Sequence, residues 1–117
     1  MFSQRVSDAI KLEIKRALTA RKNGLEGRAR VCSRRAAGYA IRAYLEENGV
    51  DIPDKSTLAL IRQLENLPGV QPQVKMVTKH LLMHVTENFN LPVEVDLVAE
   101  TTWLANFLED ETSQRHQ

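Results

Sequence analysis

Apolar residues recur at steps of three and four along most of the chain, the spacing of amphipathic helices. Over residues 4 to 22 the apolar stripe consists of Val6, Ile10, Ile14, Ala17 and Leu18. Ser3 or Ser7 is placed to cap the start of this helix. Asn23 and Gly24 supply the left-handed residue that commonly ends a helix. The pattern therefore predicts a first helix over residues 4 to 22.

A second helix is predicted from residues 25 to 27 onward, and Asn48 and Gly49 end it in the same way. The short connection makes the two helices antiparallel neighbours. The second helix has a stripe of small residues, namely Ala29, Cys32, Ala36, Ala40 and Ala43. Small side chains allow another backbone to approach closely. We therefore expect this helix to lie at the centre of the fold.

Three further helices are predicted after a loop that contains Pro53. A short helix begins after a cap at Ser56 or Asp54 and ends before Pro68. Its apolar side consists of Leu58, Ile61 and Leu64, or of Leu58, Leu60, Leu64 and Leu67. A fourth helix spans residues 71 to about 86, with Pro72 in its first turn and a stripe of Val74, Val77, Leu81 and Val85.

The last helix is predicted over residues 94 to 110, and it places Trp103 and Phe107 one turn apart. Val98, Thr101, Leu104, Ala105 and Leu108 are expected to face inward. No segment alternates with period two, so the predicted fold is all-α. We expect an up-and-down bundle of four long helices and one short helix. The expected domain covers residues 1 to 110, followed by a polar, frayed tail over residues 111 to 117.

The composition agrees with one globular domain. The 117 residues are 43% hydrophobic and 26% charged, and no apolar run is long enough to cross a membrane. The first residues lack a signal-peptide pattern, so a cytoplasmic protein is expected. The single cysteine, Cys32, is interpreted as a buried filler, with a reactive thiol as the less favoured alternative. No motif predicts a cofactor.

Charge is distributed unevenly along the chain. Residues 1 to 43 contain 11 Lys and Arg against 3 Asp and Glu, whereas residues 44 to 117 contain 5 against 12. Arg28, Arg35 and Arg42 repeat every seven residues, so they follow one line on the second helix. This row predicts contacts with a polyanion such as RNA. The alternative is a solvated row with acidic partners, for example Glu46 four residues after Arg42.

Candidate chemistry is concentrated at the end of the fourth helix, in Lys79, His80 and His84. Histidine is the usual general acid or base near neutral pH, and a lysine can stabilise charge on a phosphate. These groups are the parts of a metal-independent ribonuclease. The alternative is that both histidines are half-buried, hydrogen-bonded residues at a helix end. His80 and His84 have a spacing that can hold zinc, but no third ligand is evident, so no metal site is predicted.

Two of these segments resemble the HEPN (higher eukaryotes and prokaryotes nucleotide-binding) domain family. They are the Arg- and Ala-rich stretch over residues 34 to 40, and a late helix with a basic residue, a polar residue, three others and a histidine. The last helix over residues 101 to 108 also fits, so the resemblance covers residues 5 to 110. It implies a helical bundle that is usually dimeric. Members are metal-independent RNA-cleaving toxins or defence proteins, or non-catalytic binders of nucleotide or RNA.

In the family's active motif an arginine and a histidine are separated by four to six intervening residues, often with an asparagine next to the arginine. Here Lys79 stands at the arginine position, His80 at the asparagine position and His84 at the histidine position. Lysine lacks the planar guanidinium fork, which favours binding without cleavage. The resemblance also suggests an antitoxin partner protein. A rival hypothesis is a dimeric scaffold protein, which predicts that Glu94, Asp96 and Glu100 neutralise the arginine row.

Overall fold

A computed structural model describes residues 1 to 83 and 95 to 115, with side chains up to residue 114. It places five helices in those residues and no strand, so the predicted all-α class is confirmed. The helices are α1 (Gln4–Lys22), α2 (Glu26–Glu47), α3 (Thr57–Glu65), α4 (Pro72–Leu81) and α5 (Leu97–Arg115). None of the helices found in the described residues is long and apolar enough to cross a membrane.

The first two helices form a hairpin with the predicted caps. The hydroxyl of Ser3 accepts a hydrogen bond from the backbone N–H of Val6 at 3.2 Å, which confirms Ser3 rather than Ser7 as the cap. Gly24 takes a φ of 75°, which only glycine adopts without strain. The backbone N–H of Leu25 then donates to the carbonyl of Ala20 at 2.8 Å. This closing bond satisfies a carbonyl at the end of α1.

Helix α2 lies at the centre of the fold, as the small-residue stripe predicts. It packs against α1, α3 and α5. Its buried small residues are Ala29, Cys32, Ser33, Ala36, Ala37, Gly38 and Ala40. A Cβ atom at Gly38 would lie 3.5 Å from the side chain of Thr57 at the start of α3. The stripe therefore allows the close approach of neighbouring helices, and Cys32 is the buried filler expected from the sequence.

Two contacts orient α5 against α1. At one end the backbone N–H of Phe2 donates to the carboxylate of Glu109 at 2.9 Å. At the other end Arg21, in the last turn of α1, donates to Asp96 just before α5 at 2.9 Å. The two helices are therefore antiparallel. The rings of Trp103 and Phe107 stack with their centroids 5.1 Å apart, as predicted.

The core is built from the inward faces of all five helices. Its largest buried aliphatic side chains are Ile41, Leu45, Ile61, Leu64, Leu81, Leu97, Leu104 and Leu108. All five inward positions predicted for α5 are buried. Two predicted core positions are wrong, because Leu18 of α1 is 51% exposed and Leu58 of α3 is 45% exposed. In α1 the buried line runs through Glu13 and Ala20 instead of Leu18.

Helix boundaries differ from prediction in the second half of the chain. Three helices have 19 to 22 residues, but α4 has only 10 and ends at Leu81 rather than near residue 86. Leu82 and Met83 are not helical, and the rest of the predicted extension, with Val85, lies outside the described residues. Helix α5 continues to Arg115 and buries Thr112, so the tail predicted from residue 111 begins in an ordered helix.

Candidate functional site

The arginine row of α2 divides into two groups. Arg28 and Arg35 line a groove between α1 and α2, together with exposed side chains of α1. Arg42 does not line that groove, and its Nε donates to Glu46 at 2.9 Å. The predicted partnership with Glu46 is therefore confirmed. Arg28 and Arg35 therefore share one groove, and Arg42 lies apart from them beside an acidic partner.

The groove between α1 and α2, called the α1–α2 groove below, encloses about 700 Å³. Lys15 and Arg16 from α1 face it with Arg28 and Arg35 from α2. Thr19 adds a hydroxyl to the wall. The remaining described lining residues are Leu12, Ala20, Asn23, Leu25, Gly27, Val31 and Cys32. No carboxylate belongs to this described lining, so four cations share one groove without an acid among them.

A buried carboxylate lies close to two of these cations. The side chain of Glu13 is only 4% exposed. Its Oε1 accepts a hydrogen bond from Arg16 at 3.2 Å, and its Oε2 lies 4.0 Å from a terminal nitrogen of Arg35. A buried carboxylate needs such partners to offset its desolvation. Glu13 is therefore hydrogen-bonded to Arg16 and lies at ion-pair distance from Arg35, while the described lining of the groove itself contains no carboxylate.

A second cavity of about 380 Å³ lies between α2, α3 and the end of α4, and it is called the α3–α4 cavity below. Arg34, Arg35 and Arg62 line it, again without a carboxylate among the described lining residues. It shares Val31 and Arg35 with the α1–α2 groove. The basic first half of the sequence thus forms two adjoining basic concavities.

Arg34 lines the α3–α4 cavity but was not among the site residues predicted from the sequence. Its Nε donates to the carbonyl of Leu81 at 2.8 Å and a terminal nitrogen donates to the carbonyl of Met83 at 3.3 Å. The guanidinium therefore caps the end of α4, where carbonyls lack helical partners. Burial, and secondly the neighbouring Arg30, lower the pKa of Arg34 from its ordinary value. Its place in the arginine-rich stretch over residues 28 to 42 was the only sequence signal.

Two of the three candidate catalytic residues, Lys79 and His80, lie in the last turn of α4. His80 is partly buried, and its Nδ1 lies 2.6 Å from one carboxylate oxygen of Glu100 on α5 and 3.1 Å from the other. A carboxylate accepts, so Nδ1 donates and Nε2 is left as the second ring nitrogen. Lys79 is exposed. Neither residue lines the α1–α2 groove or the α3–α4 cavity, and His84 lies outside the described residues.

The acids expected to neutralise the arginine row have other partners. Asp96 accepts from the backbone N–H of Ala99 at 3.1 Å and pairs with Arg21 at 2.9 Å. The Ala99 bond first, and then Arg21, lower the pKa of Asp96, whereas Glu26 and Asp96 raise the pKa of Arg21.

Glu100 is bound to His80 rather than to the row. The expected neutralisation is therefore wrong for Asp96 and Glu100, and Glu94 lies outside the described residues.

Metal ligands do not gather in the described part of the chain, where no group of three His, Cys, Asp or Glu side chains could hold an ion. No protein-family model matches the chain, and no curated protein or solved structure shows significant similarity to it.

Proposed function

We propose that the protein binds single-stranded RNA along the α1–α2 groove. The observation that supports this proposal is the grouping of Lys15, Arg16, Arg28 and Arg35 around a concavity whose described lining contains no carboxylate. Cations arranged in this way bind phosphates and release the counterions that surround a nucleic acid. The resemblance to HEPN domains favours RNA, or a nucleotide, as the anion.

The chemistry of the groove favours contacts with the RNA backbone rather than with the bases. Guanidinium groups bind phosphate oxygens in a bidentate manner, and the Thr19 hydroxyl and Asn23 amide suit phosphate and sugar oxygens. The described lining contains no aromatic ring on which a base could stack. We therefore expect binding that depends strongly on salt and weakly on sequence.

The binding proposal is tested by retention of a labelled single-stranded RNA over a series of salt concentrations. A double variant, Arg28→Ala with Arg35→Ala, should bind more weakly and lower the salt slope by about 1.4, since each phosphate contact contributes about 0.7. Arg42→Ala is the matched control because Arg42 lies on the same helix but pairs with Glu46. If Arg42→Ala lost as much RNA binding as the double variant, the α1–α2 groove would not be the binding site. Competition by a mononucleotide distinguishes nucleotide binding from RNA binding.

Ribonuclease activity is the second part of this proposal, with Lys79, His80 and His84 as the candidate catalytic residues. The bond from His80 to Glu100 supports it, because a carboxylate on Nδ1 orients the ring and leaves Nε2 for proton transfer. We infer that His84 would act as general acid or base and Lys79 as the phosphate cation. Such an enzyme needs no metal or other cofactor and would fit a toxin or defence system with an antitoxin partner protein.

Cleavage is tested by incubating the protein with labelled RNA in the presence of a metal chelator. Wild-type protein should cleave, and His84→Ala should not. Equal cleavage by both proteins, or none by either, would exclude His84 as a catalytic residue. The proposal that the protein binds RNA would be unaffected. Arg28→Ala provides the control for binding, since it should raise the RNA concentration needed for cleavage without abolishing the reaction.

A scaffold protein that dimerises is the second candidate function. It is supported by exposed apolar side chains on the rim of the same groove, since Leu12 and Leu25 are each 47% exposed and Val31 is 44% exposed. Such a cluster is typical of an interaction surface. Sedimentation of the wild type and of Leu12→Glu tests it. A homodimer that Leu12→Glu dissociates, in a protein that does not retain RNA, would favour the scaffold.

The helices that the structure describes are compatible with an up-and-down bundle. We infer that α1, α2, α4 and α5 form the up-and-down bundle, and that α3 belongs to the connection between α2 and α4. The antiparallel pairs α1–α2 and α1–α5 support this arrangement. A homodimer would bring two basic grooves into one assembly.

A further inference from the structure

The α3–α4 cavity has the size and lining of a small-molecule site. Its volume of about 380 Å³ falls within the range of about 300 to 1,000 Å³ typical of ligand pockets. Aliphatic side chains make up most of its wall, namely Val31, Leu58, Leu81, Leu82 and Met83. Leu58 was expected in the core but instead stands at the cavity with 45% of its surface exposed. An aliphatic wall of this kind accommodates an aliphatic group of a ligand.

The polar part of the cavity is almost entirely cationic. Three guanidinium groups, on Arg34, Arg35 and Arg62, line it together with the Thr57 side chain. Within the described residues neither Arg34 nor Arg62 forms an ion pair, and Arg35 has only Glu13 at 4.0 Å. Arg34 donates two hydrogen bonds to main-chain carbonyls, which carry no formal charge. Among the described residues, the three guanidinium groups that line the cavity therefore have one nearby carboxylate, Glu13 at 4.0 Å from Arg35.

Burial penalises the charge of one of the three arginines, Arg34, whereas Arg35 and Arg62 are exposed. Arg34 is partly buried, and burial and Arg30 together lower its pKa, which shows that its charged form is penalised. An anionic head in the same cavity would attract the charge of Arg34 and would accept charge-assisted hydrogen bonds from the exposed guanidinium groups of Arg35 and Arg62. The described lining lacks an aromatic ring, so it offers an aliphatic chain better contacts than it offers a nucleobase.

We propose that the α3–α4 cavity binds a small amphipathic anion, an aliphatic chain with a carboxylate or phosphate head. The chain would lie against Leu58, Leu81 and Leu82, and the head would bind the guanidinium groups of Arg35 and Arg62. This site is separate from the RNA-binding groove in its chemistry, although the two share Arg35. Arg62 and Leu58 belong to this cavity and not to the groove.

The test is an NMR titration of the full-length protein with octanoate, octyl phosphate and octanol. Both anions should shift amide signals around Leu58 and Leu82, and octanol should bind about tenfold more weakly because it lacks the charged head. Leu58→Glu should abolish binding by placing a negative charge in the cavity, and Arg62→Ala should weaken it about tenfold. Leu18→Glu and Arg5→Ala are matched controls on exposed positions of α1 that do not line the cavity.

Each other outcome would overturn the proposal. Absence of binding by both anions would show that the cavity takes no such ligand, and equal binding of octanol would show that the arginines do not select a charge. Tighter binding of adenosine monophosphate than of octyl phosphate would assign the cavity to a nucleotide. The binding of an amphipathic anion and the binding of RNA are tested independently. Arg62→Ala should leave RNA retention unchanged, and Arg28→Ala should leave octanoate binding unchanged.

Discussion

Basic side chains differ in their acidic partners between two regions of this molecule. At the junction of α1, α2 and α5, Arg21 has two carboxylate partners, Glu26 and Asp96, at 3.0 and 2.9 Å. In the α1–α2 groove, Lys15 and Arg28 have no ion pair within the described residues. Arg16 and Arg35 of the same groove share one acid, Glu13. The chain thus gives Arg21 two acidic partners where helices meet, whereas four cations in the groove have one nearby carboxylate within the described residues. Like charges in one groove repel one another and do not stabilise the fold, and this is the physical basis of the proposal that the groove binds an anion.

The largest expected effect comes from reversing one charge in each region. Arg28→Glu should weaken RNA retention about tenfold or more, or about 1.4 kcal/mol, with an unchanged melting temperature. Arg21→Glu should leave RNA retention unchanged and destabilise the fold by about 1 to 2 kcal/mol, since it loses two partners and places three acids together. Retention assays and thermal unfolding measure both effects. If the two variants behave alike, the two regions do not differ in function.

The next effect concerns the bond between α4 and α5. His80→Ala should lower the free energy of unfolding by about 1.5 kcal/mol, because it removes a short, mostly buried hydrogen bond to the carboxylate of Glu100. Lys79→Ala is the matched control on the adjacent exposed position. A double-mutant cycle with Glu100→Ala, measured by urea unfolding, should give a coupling of about 1 kcal/mol. A coupling of zero would show that the pair does not hold the helices together.

A smaller effect with a pH signature is expected at the start of α5. Asp96→Ala should cost about 1 kcal/mol at neutral pH, since it removes the cap on the Ala99 N–H and the partner of Arg21. The folded-state pKa of Asp96 is lowered, so its stabilisation is present above the unfolded value of about 4 and disappears as pH falls through the lower folded value.

Unfolding of the wild type and of Asp96→Ala should therefore converge in strong acid. Asp110→Ala, at an exposed position of the same helix, controls for loss of a surface charge. A difference between the wild type and Asp96→Ala that stayed constant at all pH values would contradict the role of the carboxylate charge.

The smallest effect comes from the carboxylate beneath the groove. Glu13→Gln keeps the shape of the side chain and removes a negative charge near Arg16 and Arg35. RNA should therefore bind about threefold more tightly, or about 0.7 kcal/mol. Glu109→Gln, on α5 and outside the lining of the groove, is the control for the loss of a carboxylate. Weaker binding in Glu13→Gln would show instead that Glu13 positions the two arginines for the phosphate.

Much of the fold could be predicted from the sequence because the signals are local. The ends of α1 and α2 follow from Asn-Gly pairs, and the central place of α2 follows from its small residues. The inward face of α5 follows from helical periodicity. Leu18 and Leu58 could not be placed in the same way, because periodicity gives a direction around a helix axis but not the distance to the next helix.

The site could be predicted only in part. Arg28 and Arg35 were identified by their seven-residue spacing, but the same spacing selected Arg42, which pairs within its own helix. The end of α4 depends on Arg34, a side chain 47 positions away in the sequence, so no local pattern could reveal it. Glu13 was missed for the same reason, since a buried carboxylate beneath a basic groove is a property of tertiary packing.

The bond from the Phe2 N–H to Glu109 has a topological consequence. It brings the beginning of α1 beside the later part of α5. A circularly permuted protein, opened in the exposed turn at Gly24 and joined by a short linker across the original ends, should keep all helix pairings. In such a permutant the edge of the α1–α2 groove would carry the new termini, and a fused probe there would report directly on what enters the groove.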